Sequence, residues 1–337
     1  MSAVDATSAT EAGHAAPKRR LRQGIASQGA VLIGVIYVIL WVVYAAEQPS
    51  ALSAYSIESL LNNSLPLMLA AAGQTFVVLQ GGFDLSVAGI ISLSNVLVAV
   101  YPVEGPFGAL VNLAMVVGVG LAVGATNGIL VAYMRIQSIA ATLATMIVCQ
   151  GIALLILKAP GGYVSEFIAY ELTGSLFGTV PVAAVIAVAV ACIWLAFRRT
   201  NTGIALYAVG RDATAAELSG IDVRRTRFAA FCWAGVLYGC AGFMLSAQTS
   251  TGNPTAGEPF LLLCFAAVAL GGTSFSGGSG GVIGSLIGAA TLMLMQKVLF
   301  STGVSSFYTG VFQGVVMIVA VLFAAFVQYM SRSRGNG

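Results

Sequence analysis

Long apolar runs separated by short polar breaks dominate the chain. They cover Ala30–Ala46, Ile57–Leu79, a Gly- and Ser-containing segment ending at Tyr101, Phe107–Met134, Ser138–Leu157, Val180–Phe197, Phe228–Ala247, Phe260–Leu270, Val282–Phe300 and Ser306–Tyr329. Most approach the length a helix needs to cross a hydrocarbon layer of roughly 30 Å. Alternation over about ten residues, the signature of a membrane β-barrel, is absent. Lipid cannot satisfy free backbone groups, so these runs predict an all-α integral membrane protein with about ten transmembrane helices. Residues 1–27 are polar and small and are expected to be a disordered tail. Residues 28–330 form the membrane domain, with a polar loop at 198–227, and 331–337 a second tail. The first run also fits a signal peptide cleaved near Val43-Tyr44-Ala45, but its length favours a retained span.

Composition excludes a soluble fold: 58% of residues are hydrophobic and 8% charged, against about 25% charged in soluble proteins. The net charge of +3 sits in the loops and does not suggest nucleic acid. The five cysteines lack metal-ligand spacing and read as small packing residues. The single histidine, His14, lies in the tail, so histidine chemistry within the membrane is excluded. Charge also orients the chain. With ten spans and the amino terminus inside, 13 of the 15 lysines and arginines fall on the cytoplasmic side, leaving only Lys158 and Lys297 outside. Glu47, Glu104, Glu166, Glu171 and Glu258 then all lie outside.

The densest charge lies between the sixth and seventh runs, where Arg198, Arg199, Arg211, Arg224, Arg225 and Arg227 accompany Asp212, Glu217 and Asp222. Gly210 to Ile221 reads as a short helix, capped at its start by Asp212. Gly220 closes it in the left-handed conformation, with Ile221 folding back. Such a knob suits docking to a soluble partner; the alternative is an ordinary basic loop obeying the positive-inside rule.

Two other stretches interrupt apolar segments. Gln80-Gly81-Gly82-Phe83-Asp84-Leu85-Ser86 is one, and Gly271 to Gly281, with six glycines including Gly271, Gly272, Gly277 and Gly278, is the other. Glycine-broken helices line pathways in transporters, which makes these candidate gating or re-entrant glycines. The likeness of the two breaks hints at an internal duplication. Asp84 is costly beside apolar segments unless it caps a helix starting at Leu85 or meets substrate. Gln74, Asn95, Gln248 and Asn253 are polar uncharged candidates for the path, interhelical hydrogen bonding being the alternative for each. Gly120, Gly124 and Gly128 share a helix face and predict close helix approach. Val164–Leu172 is amphipathic enough for a short surface or re-entrant helix. A phosphate-binding Gly-x4-Gly-Lys-Ser/Thr loop is missing, so ATP hydrolysis by that route is excluded. Ion coupling would need buried ionisable groups, for which Asp84 is the one candidate. Energy borrowed from a cytoplasmic partner fits better.

Four blocks in order now carry a resemblance: Gly81-Gly82-Phe83-Asp84-Leu85-Ser86-Val87; Gly210 with Ala215-Ala216-Glu217-Leu218-Ser219-Gly220-Ile221; Pro254-Thr255-Ala256-Gly257-Glu258 with Ala269-Leu270-Gly271-Gly272-Thr273-Ser274 and Gly277-Gly278; and Gly303-Val304-Ser305-Ser306-Phe307-Tyr308. The chain resembles permease subunits of bacterial ATP-binding-cassette (ABC) importers, in the branched family serving ribose, xylose, galactose, related sugars and autoinducer-2. It departs from the family at Phe83, where an aliphatic residue is usual, and at Ala88, where glycine is usual. The segment after Gly278, which often carries a basic residue in the family, has none in Ser279-Gly280-Gly281. The resemblance implies a type II importer fold in the bacterial inner membrane, with both termini cytoplasmic. It also implies a second permease subunit, identical or different, a periplasmic sugar-binding protein above, and an ABC ATPase below that holds ATP and magnesium. The chain itself would bind no cofactor or metal. Arg211, Asp212, Ala215, Ala216, Glu217, Leu218, Ser219 and Gly220 would then form the helix that couples to the ATPase. An ion-coupled secondary transporter and an intramembrane enzyme are the competing readings.

Overall fold

The computed structural model describes residues 19–301 together with residues 303, 311, 314 and 315. Each of the first nine predicted runs coincides with a helix: α1 (Arg19–Glu47), α2 (Ala54–Leu79), α3 (Val87–Val100), α4 (Gly105–Gly128), α5 (Ser138–Ile156), α6 (Val182–Phe197), α9 (Val223–Thr249), α10 (Glu258–Leu270) and α11 (Val282–Ser301). Two further helices, α7 (Asn201–Arg211) and α8 (Ala213–Leu218), lie between α6 and α9. Most of the tenth run, the fourth motif block apart from Gly303, and residues 331–337 fall outside the described residues.

The span count is coarser than the ten expected. Among the described residues, four helices are long and apolar enough to cross a membrane: Gly105–Tyr133, Ser138–Ile156, Val223–Thr249 and Val282–Ser301. A fifth counts if α6 and α7, bent by 79° at their junction, are taken as one span. At 1.5 Å per residue, α3 and α10 reach only about 20 Å, less than the hydrocarbon thickness. They are 14 and 13 residues long. α3 is almost wholly buried, and α10 is buried from Leu263 to Ala269, so α3 and this part of α10 run inside the bundle with protein around them.

The amino-terminal boundary also moves. Helix α1 starts at Arg19, so residues 19–27, expected to be disordered, continue the first helix. Arg, Leu, Gln, Ala and Ile in this stretch are adequate helix formers, and a helix nucleated in the apolar run extends into them cheaply.

Burial sorts the helices into layers. From Ser64 to Leu79 every residue of α2 is buried, as is nearly all of α3. α4, α5 and α6 turn aliphatic side chains outward, with Leu155 82% exposed, as lipid-facing helices do. Helices α4 and α9 pack backbone against backbone. A Cβ built on Gly120 would stand 2.1 Å from the Gly235 carbonyl oxygen, and one on Gly235 2.0 Å from that of Gly120. Gly124 meets the backbone of Phe231 in the same way. The four-residue glycine spacing predicted this contact, and dispersion between touching backbones holds it without a hydrophobic driving force.

The two ends differ. One carries Arg135, α7, α8, Arg224 and Arg227. At the other, Tyr163 N–H donates to the Ala99 carbonyl (2.9 Å) and Gly161 pairs with Gly252. The expected amphipathic helix there is a π-helical turn, Phe167–Glu171, with Ile168 buried and Tyr170 72% exposed. A hairpin of β1 (Ser175–Leu176) and β2 (Val180–Pro181) follows.

Candidate functional site

Helix α8 is a six-residue knob fixed at both ends. The Asp212 carboxylate accepts the N–H groups of Thr214 (2.9 Å) and Ala215 (3.0 Å), satisfying two orphan donors of the first turn. Gly220, at φ +83°, closes the helix. Ile221 N–H reaches the Ala216 carbonyl (3.0 Å) and Gly220 N–H that of Glu217 (2.9 Å), the paired bonds of a Schellman ending. Ala216 is buried and anchors the knob, whereas Leu218 is 86% exposed. Asp212, Ala215, Glu217, Ser219 and Gly220 are exposed as well. Leu218 stands free on a short capped helix whose other exposed side chains are Thr214, Ala215 and Glu217. Arg211 is different: it ends α7 and turns its Nε onto the Gly278 carbonyl, 3.3 Å away.

The two glycine breaks end their helices alike. At the end of α2, Gly81 (φ +81°) donates to Val78 and Gly82 to Val77; at the end of α10, Gly272 (φ +78°) donates to Ala269 and Thr273 to Val268. The resemblance seen in the sequence is thus a shared helix ending. Gly271 packs against Gly284, where an added Cβ would lie 2.3 Å from the backbone, and so lets α10 lie on α11. The breaks touch: Gly278 N–H donates to the Leu79 carbonyl at 2.8 Å.

Asp84 is fully buried between α2 and α3. Helix α3 starts at Val87, two residues later than expected, and Asp84 Oδ1 accepts both the N–H (2.9 Å) and the hydroxyl (2.5 Å) of Ser86. Asn127 of α4 donates to the same Ser86 hydroxyl (2.9 Å) and accepts from Thr145 (2.8 Å). Asp84 therefore shapes the entry to α3 from inside a buried polar chain. Asn127 was not singled out in the sequence; its signal was an amide between Gly124 and Gly128 on a close-packed face.

The four polar path candidates are scattered. With its amide oriented so that donors face acceptors, Gln74 pairs with the main chain of Asp84 and with the Tyr238 hydroxyl. Asn95 donates to Ser246 (2.9 Å) and to the Thr251 carbonyl (3.1 Å) and accepts from Asn253 N–H (2.6 Å). Asn253 uses its own side chain to accept from Thr255. Gln248 donates to Asn63 at an exposed position. Gln74 and Asn95 thus hold helices and turns together inside the fold, the interhelical role weighed for them.

Next to α8, a cavity of about 470 Å³ is lined by Arg135, Arg224, Arg227 and Glu217, among others. The described ion pair of this segment, Arg225 with Asp222 (3.0 Å), is exposed and lies within α9 and its cap.

Residues 56–321 match the family model described as "Branched-chain amino acid transport system / permease component". The chain belongs to this permease family. Curated relatives agree. The permease is 37% identical over 289 residues to the ribose import permease of Bacillus subtilis, covering 84% of this chain and 89% of that protein. It is 30% identical over 293 residues to the ribose import permease of Escherichia coli K12, covering 86% and 91%. It is 31% identical over 293 residues to the L-arabinose ABC transporter permease of Azospirillum brasilense, covering 86% of each. No solved structure matches the permease.

Proposed function

We propose that this permease forms the translocation path of an ATP-driven importer for a sugar or sugar-like solute. The relatives named above for ribose and arabinose supply the solute class. The observation that carries the mechanism is α8, a helix capped at both ends that presents Leu218, 86% exposed, at the arginine-rich end. In this reading that end is cytoplasmic, ten helices cross the inner membrane, and both termini lie inside. Two permease subunits enclose the path, and a periplasmic binding protein delivers the solute to the opposite end. An ATPase subunit receives Leu218 and Glu217 in a cleft and carries ATP and magnesium. ATP binding draws the coupling helices together and switches the path between its two faces, a rigid-body transition between two packed states.

Two substitutions test the coupling. Glu217→Arg reverses a charge on the knob. Gly220→Pro forces φ from +83° to about −65° and dismantles the ending. Both are expected to lower co-purification of the ATPase and sugar uptake in reconstituted vesicles. Unaltered co-purification and uptake in both variants, or active transport by the lone chain without ATP, would remove the proposal.

A further inference from the structure

Three main chains meet at the arginine-rich end more closely than side chains allow. A methyl group built on Gly210, near the end of α7, would lie 1.7 Å from the Leu79 carbonyl oxygen of α2 and 2.6 Å from Gly278 N. One built on Gly277 would lie 2.7 Å from the Gly210 oxygen and 3.0 Å from Gly81 N. The Leu79 carbonyl is among those that the end of α2 leaves without an intrahelical donor. Its partner is Gly278 N–H, at 2.8 Å, so the ending of α2 is completed by the loop between α10 and α11.

Helix α7 grips the same loop from its side. The Tyr207 hydroxyl donates to the Gly280 carbonyl (2.7 Å) and Arg211 Nε to that of Gly278 (3.3 Å). Tyr207 and Arg211 are four residues apart and share one face of the helix. Their two acceptors are two residues apart on the loop. Hence α7 is bound at both ends of its last turn to the glycine-rich loop, and through Gly210 to the end of α2. Only Asp212 separates α7 from α8.

From this clamp we infer that α7 is the transmission arm of the permease. A displacement of α8 is carried as one body to the end of α2 and to the α10–α11 loop. Gly210 and Tyr207 are the positioning residues, Gly210 by the close approach of three backbones and Tyr207 by its bond to Gly280. The inference rests on the proposed coupling to an ATPase and goes beyond it by naming what moves with the knob. The Leu79–Gly278 junction is buried and directly continues the wholly buried stretch of α2 from Ser64 to Leu79, so moving it moves a segment enclosed by protein.

The test uses the importer assembled with its ATPase and binding protein in vesicles, with hydrolysis and uptake measured together. Gly210→Ala is expected to leave an assembled, hydrolysing complex whose solute imported per ATP falls by about 10-fold or more, the scale on which small misplacements act. Tyr207→Phe keeps the shape of the side chain and loses one bond; its ratio is expected to fall less, in the same direction. It decides the matter if Gly210→Ala does not assemble. An undiminished ratio in every variant that assembles overturns the inference while leaving ATP-driven uptake intact. Parallel loss of hydrolysis and uptake also overturns it, since that is what plain destabilisation does. Wild-type uptake that needs no ATP would remove the proposed function and the inference together.

Discussion

Asp84 is a fully buried acid held at the entry to α3. Its Oδ1 takes both donors of Ser86, while Oδ2 is buried without a hydrogen-bond partner; Gln74 reaches the Asp84 main chain and Asn127 the Ser86 hydroxyl. Asp84→Ala leaves those donors unsatisfied inside the bundle and is expected to destabilise the purified permease by about 1–3 kcal/mol. Asp84→Asn keeps an acceptor at Oδ1 and is expected to cost less and to retain uptake. Thermal unfolding in detergent, paired with uptake, checks both; abolished uptake in a fully stable Asp84→Asn protein would return the residue to ion coupling. At this scale the helix endings were legible beforehand. The left-handed glycine and the Asp212 cap are local, and their bonds run between residues at most five apart. For Gln74 and Asn95 the interhelical role was weighed but the partners were not legible, because Tyr238 and Ser246 stand 164 and 151 residues away.

Among elements, the α4–α9 contact and the α7–α8 arm contrast. The first rests on backbones in touch. Gly235→Ala would place a methyl 2.0 Å from the Gly120 oxygen and is expected to destabilise by about 1–3 kcal/mol as the helices part. A lowered unfolding temperature in detergent with unchanged helical circular dichroism would show it; no shift would mean that the helices slide freely. The glycine period announced this contact. Helix α7 was missed. Its arginine-rich surroundings read as one loop around a short helix, although Thr200 supplies a cap, its hydroxyl accepting from Gly203 N–H, and Gly203, Leu206 and Val209, three residues apart, supply a buried face. The 79° bend after α6 hid it, because an apolar run says how long a helix is and nothing of where the chain turns.

Taken whole, the permease separates charge by end. Arg135, Arg224 and Arg227 gather around one cavity beside α8, while Glu104 and Glu58 bond Ser165 and Ser175 at the opposite end. In a cysteine-free background, Thr214→Cys is expected to react with an impermeant thiol reagent only in inside-out vesicles, and Tyr170→Cys only in right-side-out ones. The reverse pattern would invert the topology and remove the ATPase from the knob.

Hydrophobic runs, the positive-inside bias and the chemistry of glycine and aspartate act along the chain, and from them the sequence by itself determined a multi-pass helical protein and a capped polar knob between two spans. The four motif blocks added the importer resemblance, which the family match upholds. Only the tertiary structure decided which short helices lie inside the bundle. It also placed the end of α2, the last turn of α7 and the α10–α11 loop in one backbone knot. That knot is made of main-chain atoms and of glycines whose value is the side chain they lack, so no pattern of side chains could announce it.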